Sequence, residues 1–297
     1  PAGTPVDASW LLLPPTDGSV GGTGVVNLAS TSGIELLDEL RPWDADTTGF
    51  GQAIAAALDH GVSRLIVGIG SSASTDGGTG MLAALGARFL DASGMPVSRG
   101  ARGLADIASV DLSGLRTAPE VRVLTDVTNP LAGPRGAAAV FGPQKGLVAD
   151  DIAAVDAALV RLADLLSLDP AQPGTGAAGG TGGALVVWGA TLAPGADEVA
   201  ELIGLADAIA QADVVITGEG SYDGQSGDGK VPSFIAGLAA SAQVNALLAA
   251  GRITADSDTT LFTAAASLTD LAGSSDAALA EPARWLRAAG ALLARSV

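Results

Sequence analysis

Hydrophobic positions along the chain alternate between short unbroken runs and helical stripes. "SRLIVGIG" (63–70), "VRVLTD" (121–126) and "VVIT" (214–217) are apolar runs of strand length, the pattern of strands buried on both faces. Between them the spacing turns helical. Ile54, Ala57 and Leu58 share one face of a helix predicted over 50–60, and an amphipathic stripe runs over 150–166. Helices are also predicted over 77–90, over 137–146 with a glycine C-cap, and over 231–240. The glycine-rich run 173–190 reads as a loop entering a helix. A short strand is expected near 25–28, within a turn-rich first 30 residues. Further strands are expected near 244–248 and 261–264, and a last helix over 276–295. Strands alternating with helices predict an α/β protein with a mainly parallel sheet. Such sheets bind ligands beyond the carboxyl ends of their strands. Three acidic, glycine-rich loops occupy that position.

Composition narrows the picture. A chain of 297 residues with 48% hydrophobic content buries a real core and is not disordered. No apolar run approaches the roughly 20 residues of a membrane span. There is no Cys, which excludes disulfides, thiolate zinc sites and a Cys nucleophile. The single His, His60, excludes most His-based metal sites and triads, and suits a helix C-terminal turn. The four Trp show no stacking pattern and read as core or rim residues. No secretory signal opens the chain, which points to the cytoplasm. The net charge of −17 opposes nucleic-acid phosphates and anionic membranes. Any phosphate must therefore be held by local donors or a metal. Among 15 basic residues only Lys145 and Lys230 are lysines. Both sit in glycine-rich loops, "FGPQKG" and "GDGK".

Each acidic loop offers chemistry beside a plainer alternative. In "GIGSSASTDGGTG" (68–80), small residues precede a helix N-terminus, a ready site for an anion; alternatively Asp76 only caps that helix. "TDVTNPLAGPRG" (125–136) places Asp126, Asn129 and Arg135 together, offering a base, an amide and a cation. An Asx-turn is the alternative there. "TGEGSYDGQSGDGKVP" (217–232) packs Glu219, Asp223, Asp228 and Lys230 among five glycines. Carboxylates hold Mg²⁺ through one or two oxygens and leave room for phosphate; a solvated acidic turn is the plainer reading. The spacing Gly224 to Lys230 matches a Walker A count but fails at Val231, which has no hydroxyl for Mg²⁺.

Together the blocks "GIGSSASTDGGTGMLAALGARFLD", "TDVTNPLAGPRGAAAVFGPQKG" and "ITGEGSYDGQSGDGKVP" resemble the bacterial glycerate kinase family related to galactarate-operon enzymes, over most of residues 20–245. The resemblance implies ATP-dependent, Mg²⁺-assisted phosphorylation of D-glycerate, with 2-phospho-D-glycerate the favoured product. It implies an α/β fold of two domains: a Rossmann-like parallel-sheet domain and a central inserted α/β domain. Residues 1–210 would be the central domain, and 211–297 the C-terminal part of the Rossmann-like one. Two departures stand out. Ser71 replaces a usual Gly, and Thr75 a usual Asn. The family's opening Asp-Ser-Phe-Lys-Gly and Asp-Gly-Gly-Glu-Gly loops have no counterpart, so roughly 75–80 opening residues are expected to be missing. The chain alone is then expected to expose unpaired strand edges.

Chemistry suggests roles for these positions. Asp126, Lys230 and Asp76 are the catalytic candidates, with Asp126 accepting the glycerate hydroxyl proton and Lys230 neutralising the transferring phosphate. Gly70, Ser71, Ser72, Asn129, Arg135, Lys145, Gly218 and Gly220 are the substrate and nucleotide candidates. Arg135 could pair bidentately with the glycerate carboxylate. Glu219 and Asp223 are the Mg²⁺ candidates. The expected partners are ATP and D-glycerate, with neither nucleic acid nor membrane, and a homo-oligomer is possible. One rival is an NAD-linked 2-hydroxy-acid dehydrogenase, but "GEGSYD" breaks the Gly-x-Gly-x-x-Gly fingerprint at its third glycine. The other is a non-catalytic acidic ligand-binding domain.

Overall fold

The computed structural model describes residues 1–224 and 231–296. The chain forms two compact units, Pro1–Gly195 and Ala196–Val297. The division falls earlier than the boundary expected at 210/211.

The first unit contains, in order, β1 (Leu11–Leu13), β2 (Thr23–Asn27), α1 (Ala29–Ser32), α2 (Thr48–His60), β3 (Arg64–Gly68), α3 (Thr79–Ala84), β4 (Arg88–Leu90), β5 (Ser109–Asp111), β6 (Glu120–Leu124), α4 (Ala149–Leu166), α5 (Thr181–Trp188) and β7 (Thr191–Ala193). Its sheet has the order β1-β2-β3-β6-β7. β2, β3, β6 and β7 run parallel, and β1 closes one edge antiparallel. Leu65, Val67, Val121 and Val123 are buried in this sheet. Phe50 and Ile54 from α2, Met81 and Leu82 from α3, Leu159 and Leu162 from α4, and Leu185 from α5 complete one core.

The second unit contains α6 (Gly195–Leu202, beginning at the last residue of the first unit), α7 (Leu205–Ala210), β8 (Val214–Thr217), β9 (Ser221–Tyr222), α8 (Val231–Ser241), β10 (Asn245–Ala250), β11 (Arg252–Ile253), β12 (Ala264–Ser267), α9 (Leu268–Ala272), α10 (Ser275–Ala280) and α11 (Pro282–Leu293). Three parallel strands form its sheet in the order β12-β10-β8. Alternate residues of β10 face opposite sides, as the period of two requires. Ala246, Leu248 and Ala250 pack with Ile209, Tyr222 and Phe262, while Leu247 packs with Leu268, Ala289 and Leu293.

Three expected helices differ. The helix over 77–90 stops at Ala84: Gly86 turns the chain at φ 110°, and residues 88–90 then pair with β5 as a hairpin. Residues 137–146 form a π-turn (Ala137–Phe141) followed by a 3₁₀ turn (Pro143–Lys145), and Gly146 ends the segment at φ 97° as expected of a C-cap. The last helix breaks at Glu281, because Pro282 lacks the N–H that a continuing helix needs and starts α11 instead. The strand expected near 261–264 forms at Ala264–Ser267.

Candidate functional site

A cavity of about 700 Å³ opens at the carboxyl ends of β3 and β6. The loop after β3 contributes Gly70, Ser71 and Ser72, and the loop after β6 contributes Asp126. The turn Pro143–Lys145 contributes Lys145. Thus two of the three acidic loops share one cavity. The first loop is tied down by its backbone: Ile34 N donates to Ser71 O (2.8 Å) and Ala73 N to Ser32 O (3.0 Å). Ser71 itself adopts φ 55°, a left-handed conformation that favours glycine, the residue the family pattern has there.

Asp126 is exposed, and its Oδ1 accepts a hydrogen bond from Gly195 N at 3.0 Å. That bond orients the carboxylate and leaves its other oxygen unengaged by any described donor. Lys145 is its opposite in setting, at 2% exposure. Its Nζ donates to Ser72 Oγ (2.8 Å) and to Ser74 O (2.6 Å). Burial lowers the ammonium to about 8, with the charge of Asp76 opposing the shift.

Asp76, expected as a catalytic candidate, does not line this cavity. It is fully buried, and its carboxylate is enclosed by donors from its own chain. Thr47 N (2.9 Å), Thr47 Oγ1 (2.7 Å) and Gly80 N (3.2 Å) donate to Oδ2, and Gly78 N (3.0 Å) to Oδ1. The anion site expected at the start of α3 is thus filled by the protein's own carboxylate. Burial pushes the Asp76 carboxyl up from its ordinary value, and the hydrogen bonds from Thr47 oppose that push. Asp76 is a positioning residue that welds the loop 70–76 to the start of α2.

Asn129 and Arg135 do not line the cavity. Asn129 Nδ2 donates to Arg135 O (2.7 Å), and Asn129 O accepts from Gly174 N and Gly176 N. The amide therefore braces a loop, and the Arg135 side chain is exposed. Two features of the site went unread in the sequence: the Gly195 N–H on Asp126, and the Ser74 carbonyl on Lys145. Both are backbone groups, which carry no sequence signal. Ala178, a wall residue at φ 53°, was also missed.

The third loop lies in the second unit. A pocket of about 510 Å³ forms at the carboxyl ends of β8 and β10, lined by Gly218, Glu219, Gly220 and Gly251, with Ile216 and Leu286 at its apolar side. Gly251 N donates to Glu219 O (3.0 Å) and Arg252 N to Gly220 O (3.1 Å), fixing the backbone. Glu219 Oε1 is buried and has no hydrogen-bond partner among the described residues. A buried, unspent carboxylate oxygen is costly unless a cation or donor reaches it, so Glu219 fits a Mg²⁺ ligand. Asp223 lies close enough to Asp256 for their charges to oppose each other. No group of three His, Cys, Asp or Glu among the described residues could hold a metal alone. Mg²⁺ bound with nucleotide requires only one or two carboxylates. Asp228 and Lys230 lie outside the described residues.

Two α/β units, each with a mainly parallel sheet and a cavity at its strand ends, define a ligand-binding α/β protein, and comparison narrows the class. The profile described as the glycerate kinase family matches residues 1–297. The chain is 42% identical over 269 residues to the glycerate kinase of Bacillus subtilis (strain 168), covering 87% of this chain and 69% of that protein. It is 39% identical over 267 residues to the glycerate 2-kinase of Escherichia coli (strain K12), covering 86% and 69%. A crystal structure of a candidate glycerate kinase 2 from Salmonella typhimurium LT2 superposes with a TM-score of 0.75 at 41% identity, covering 82% of this chain and 67% of that one. The chain belongs to the glycerate kinase family, whose members are ATP-dependent phosphotransferases. No helix among the described residues is long and apolar enough to cross a membrane.

Proposed function

We propose that this chain phosphorylates D-glycerate with ATP and Mg²⁺ to give 2-phospho-D-glycerate, in the cytoplasm. The observation that carries the reading is the cavity at the ends of β3 and β6, which holds Asp126 and Lys145 in a member of this family. Phosphoryl transfer asks mainly for positioning and charge neutralisation. Asp126, oriented by Gly195 N, takes the proton from the glycerate hydroxyl as its oxygen bonds to the γ-phosphorus. The bond from that phosphorus to the bridging oxygen breaks, and ADP leaves with the electron pair. In the second unit, Glu219 would be the ligand for Mg²⁺ with Asp223 its neighbour; Gly220 would admit a phosphate oxygen closely, whereas Gly218 is packed against the Ala249 carbonyl. Mg²⁺, when bound, supplies charge neutralisation on the phosphate oxygens. Lys230 is assigned to the transferring phosphate on sequence grounds. The choice of the 2-hydroxyl is supported by the 39% identity to a protein named glycerate 2-kinase.

The test is direct. ADP release with Mg²⁺–ATP and D-glycerate is expected, and phosphorus NMR of the product should show the 2-phosphate. Failure to release ADP rejects the activity, and a 3-phosphate product rejects the regiochemistry alone.

A further inference from the structure

Lys145 is an unusual place to keep a charge. It is 2% exposed, and no carboxylate forms an ion pair with it among the described residues. An ammonium carries three donors. Two are spent on neutral oxygens, Ser72 Oγ and Ser74 O. The third has no acceptor among the described residues, and Lys145 lines the cavity at the ends of β3 and β6. A buried cation with a spare donor, on a residue that lines a cavity, calls for an anionic oxygen from the ligand.

The charge of the cavity selects among anions. Among the described residues, Lys145 is the only cation along its wall and Asp126 the only anion. Ile34, Ile69, Val127 and Phe141 make much of the remainder apolar. A polyphosphate would bring several charges to a single cation and face the Asp126 carboxylate. A hydroxy acid offers one group suited to each: a carboxylate for Lys145 and a hydroxyl for Asp126. Arg135, the sequence's candidate for the carboxylate, does not reach this cavity.

We propose that Lys145 is the carboxylate receptor of this cavity, and that it makes the protein select a hydroxy acid over a polyol of the same length. The proposal rests on the kinase reading for the identity of the acid. The same oxyanion chemistry could come from a phosphate group, so the test separates the two.

The experiment measures D-glycerate, ATP and inorganic phosphate binding calorimetrically, on the full chain and its Lys145→Met variant. It also compares ADP release with D-glycerate and with glycerol. Removing the charged partner should weaken D-glycerate binding by roughly 30-fold or more. ATP and inorganic phosphate affinities should stay within about threefold, and the preference for glycerate over glycerol should collapse by a similar 30-fold factor. If Lys145→Met does not melt cooperatively, Lys145→Gln, which keeps a donor but no charge, decides instead. Unchanged D-glycerate affinity overturns the proposal. So does loss of ATP or phosphate affinity, whether alone or in equal measure with glycerate. A wild-type protein that binds D-glycerate through Lys145 but releases no ADP defeats the kinase reading and leaves the receptor standing. One that binds no D-glycerate defeats both.

Discussion

The cavity of the first unit and the pocket of the second sit at equivalent places on their sheets, yet they are built on opposite plans. In the first unit the charged groups about the cavity are largely engaged, although the buried Ser74 Oγ and Thr75 Oγ1 have no partner among the described residues. Asp76 is enclosed by four hydrogen bonds, Lys145 has spent two of its three donors, and Asp126 is held by Gly195 N. In the second unit Glu219 Oε1 is buried with no partner among the described residues, beside Ile216 at 60% and Leu286 at 53% exposure. The first plan preorganises charge, so a small ligand meets fixed groups at little entropic cost. The second holds an unspent carboxylate oxygen in reserve, so its binding energy appears only when a cation arrives. One region orients, and the other waits to be completed.

The largest effect should come from breaking the oriented side. Asp126→Asn keeps an acceptor for Gly195 N but removes the base. With D-glycerate, kcat should fall by roughly 10²–10⁴, the usual worth of a positioned acid–base group. Because Asp126 is exposed, the melting temperature should hardly move. Near-normal turnover would remove Asp126 from the chemistry and with it the contrast between the units.

Next is the charge stored in Lys145, read through pH. Its folded value is about 8 against an ordinary 10.5. Below pH 8 both folded and unfolded chains carry the proton, and the folded one bears the cost of burying it. Between the two values the folded lysine has lost its proton while the unfolded one still holds it. The unfolded state then binds more protons, so stability rises with pH. The gain across that window is of order 3 kcal/mol for a shift of this size. Urea unfolding of the wild type should therefore gain on Lys145→Met between pH 7.5 and 10, where other titrating groups cancel in the difference. A pH-independent difference would mean that Lys145 is hydrated rather than buried.

Much of this architecture is legible in the residue pattern, for identifiable reasons. Strand β3 is covered on both faces, so its apolar run is continuous and marks it clearly, while β6 and β8 remain readable although Arg122 interrupts one and Ile216 of the other is exposed. β7 escapes notice because Thr191, Leu192 and Ala193 offer only three residues and no run. The helix that stops at Ala84 keeps a helical apolar pattern up to Leu90, and only the turn at Gly86 and the distant partner β5 reveal a hairpin. In the site, Asp126 and Lys145 are readable because a carboxylate at a strand end and a lysine in a glycine-rich loop are rare in this chain. The enclosure of Asp76 is not legible, because burial cannot be seen locally. An aspartate before two glycines looks the same whether it faces solvent or a closed ring of N–H groups.

The waiting side is sharpened by Glu219→Gln. The amide is nearly isosteric but cannot offer an anionic oxygen to a cation. Mn²⁺ titration in the presence of ADP, followed by electron paramagnetic resonance, should show affinity reduced by about tenfold or more. D-glycerate binding should be unaltered, because Glu219 does not line the cavity at the ends of β3 and β6. Unchanged Mn²⁺ affinity would make the buried oxygen a structural oddity and leave the second pocket without a cation ligand.

The smallest effect tests how far preorganisation in the first unit extends into the backbone. Ser71 lines the cavity at φ 55°, where an L-residue other than Asn or Asp is strained by about 1–2 kcal/mol. Ser71→Gly removes that strain but adds freedom to the unfolded chain, worth about 0.4–1 kcal/mol in the other direction. The net should be a stabilisation of about 0.5 kcal/mol, seen as a rise of a few degrees at most in the first unit's melting transition. The loop is held by Ile34 N on Ser71 O and by Ala73 N on Ser32 O, neither of which depends on the serine side chain. Its position on the cavity wall should therefore persist, with KM for D-glycerate changed less than about threefold. A larger KM change would show that the Ser71 hydroxyl contacts the substrate, and the strain would then be the cost of placing that hydroxyl in the cavity.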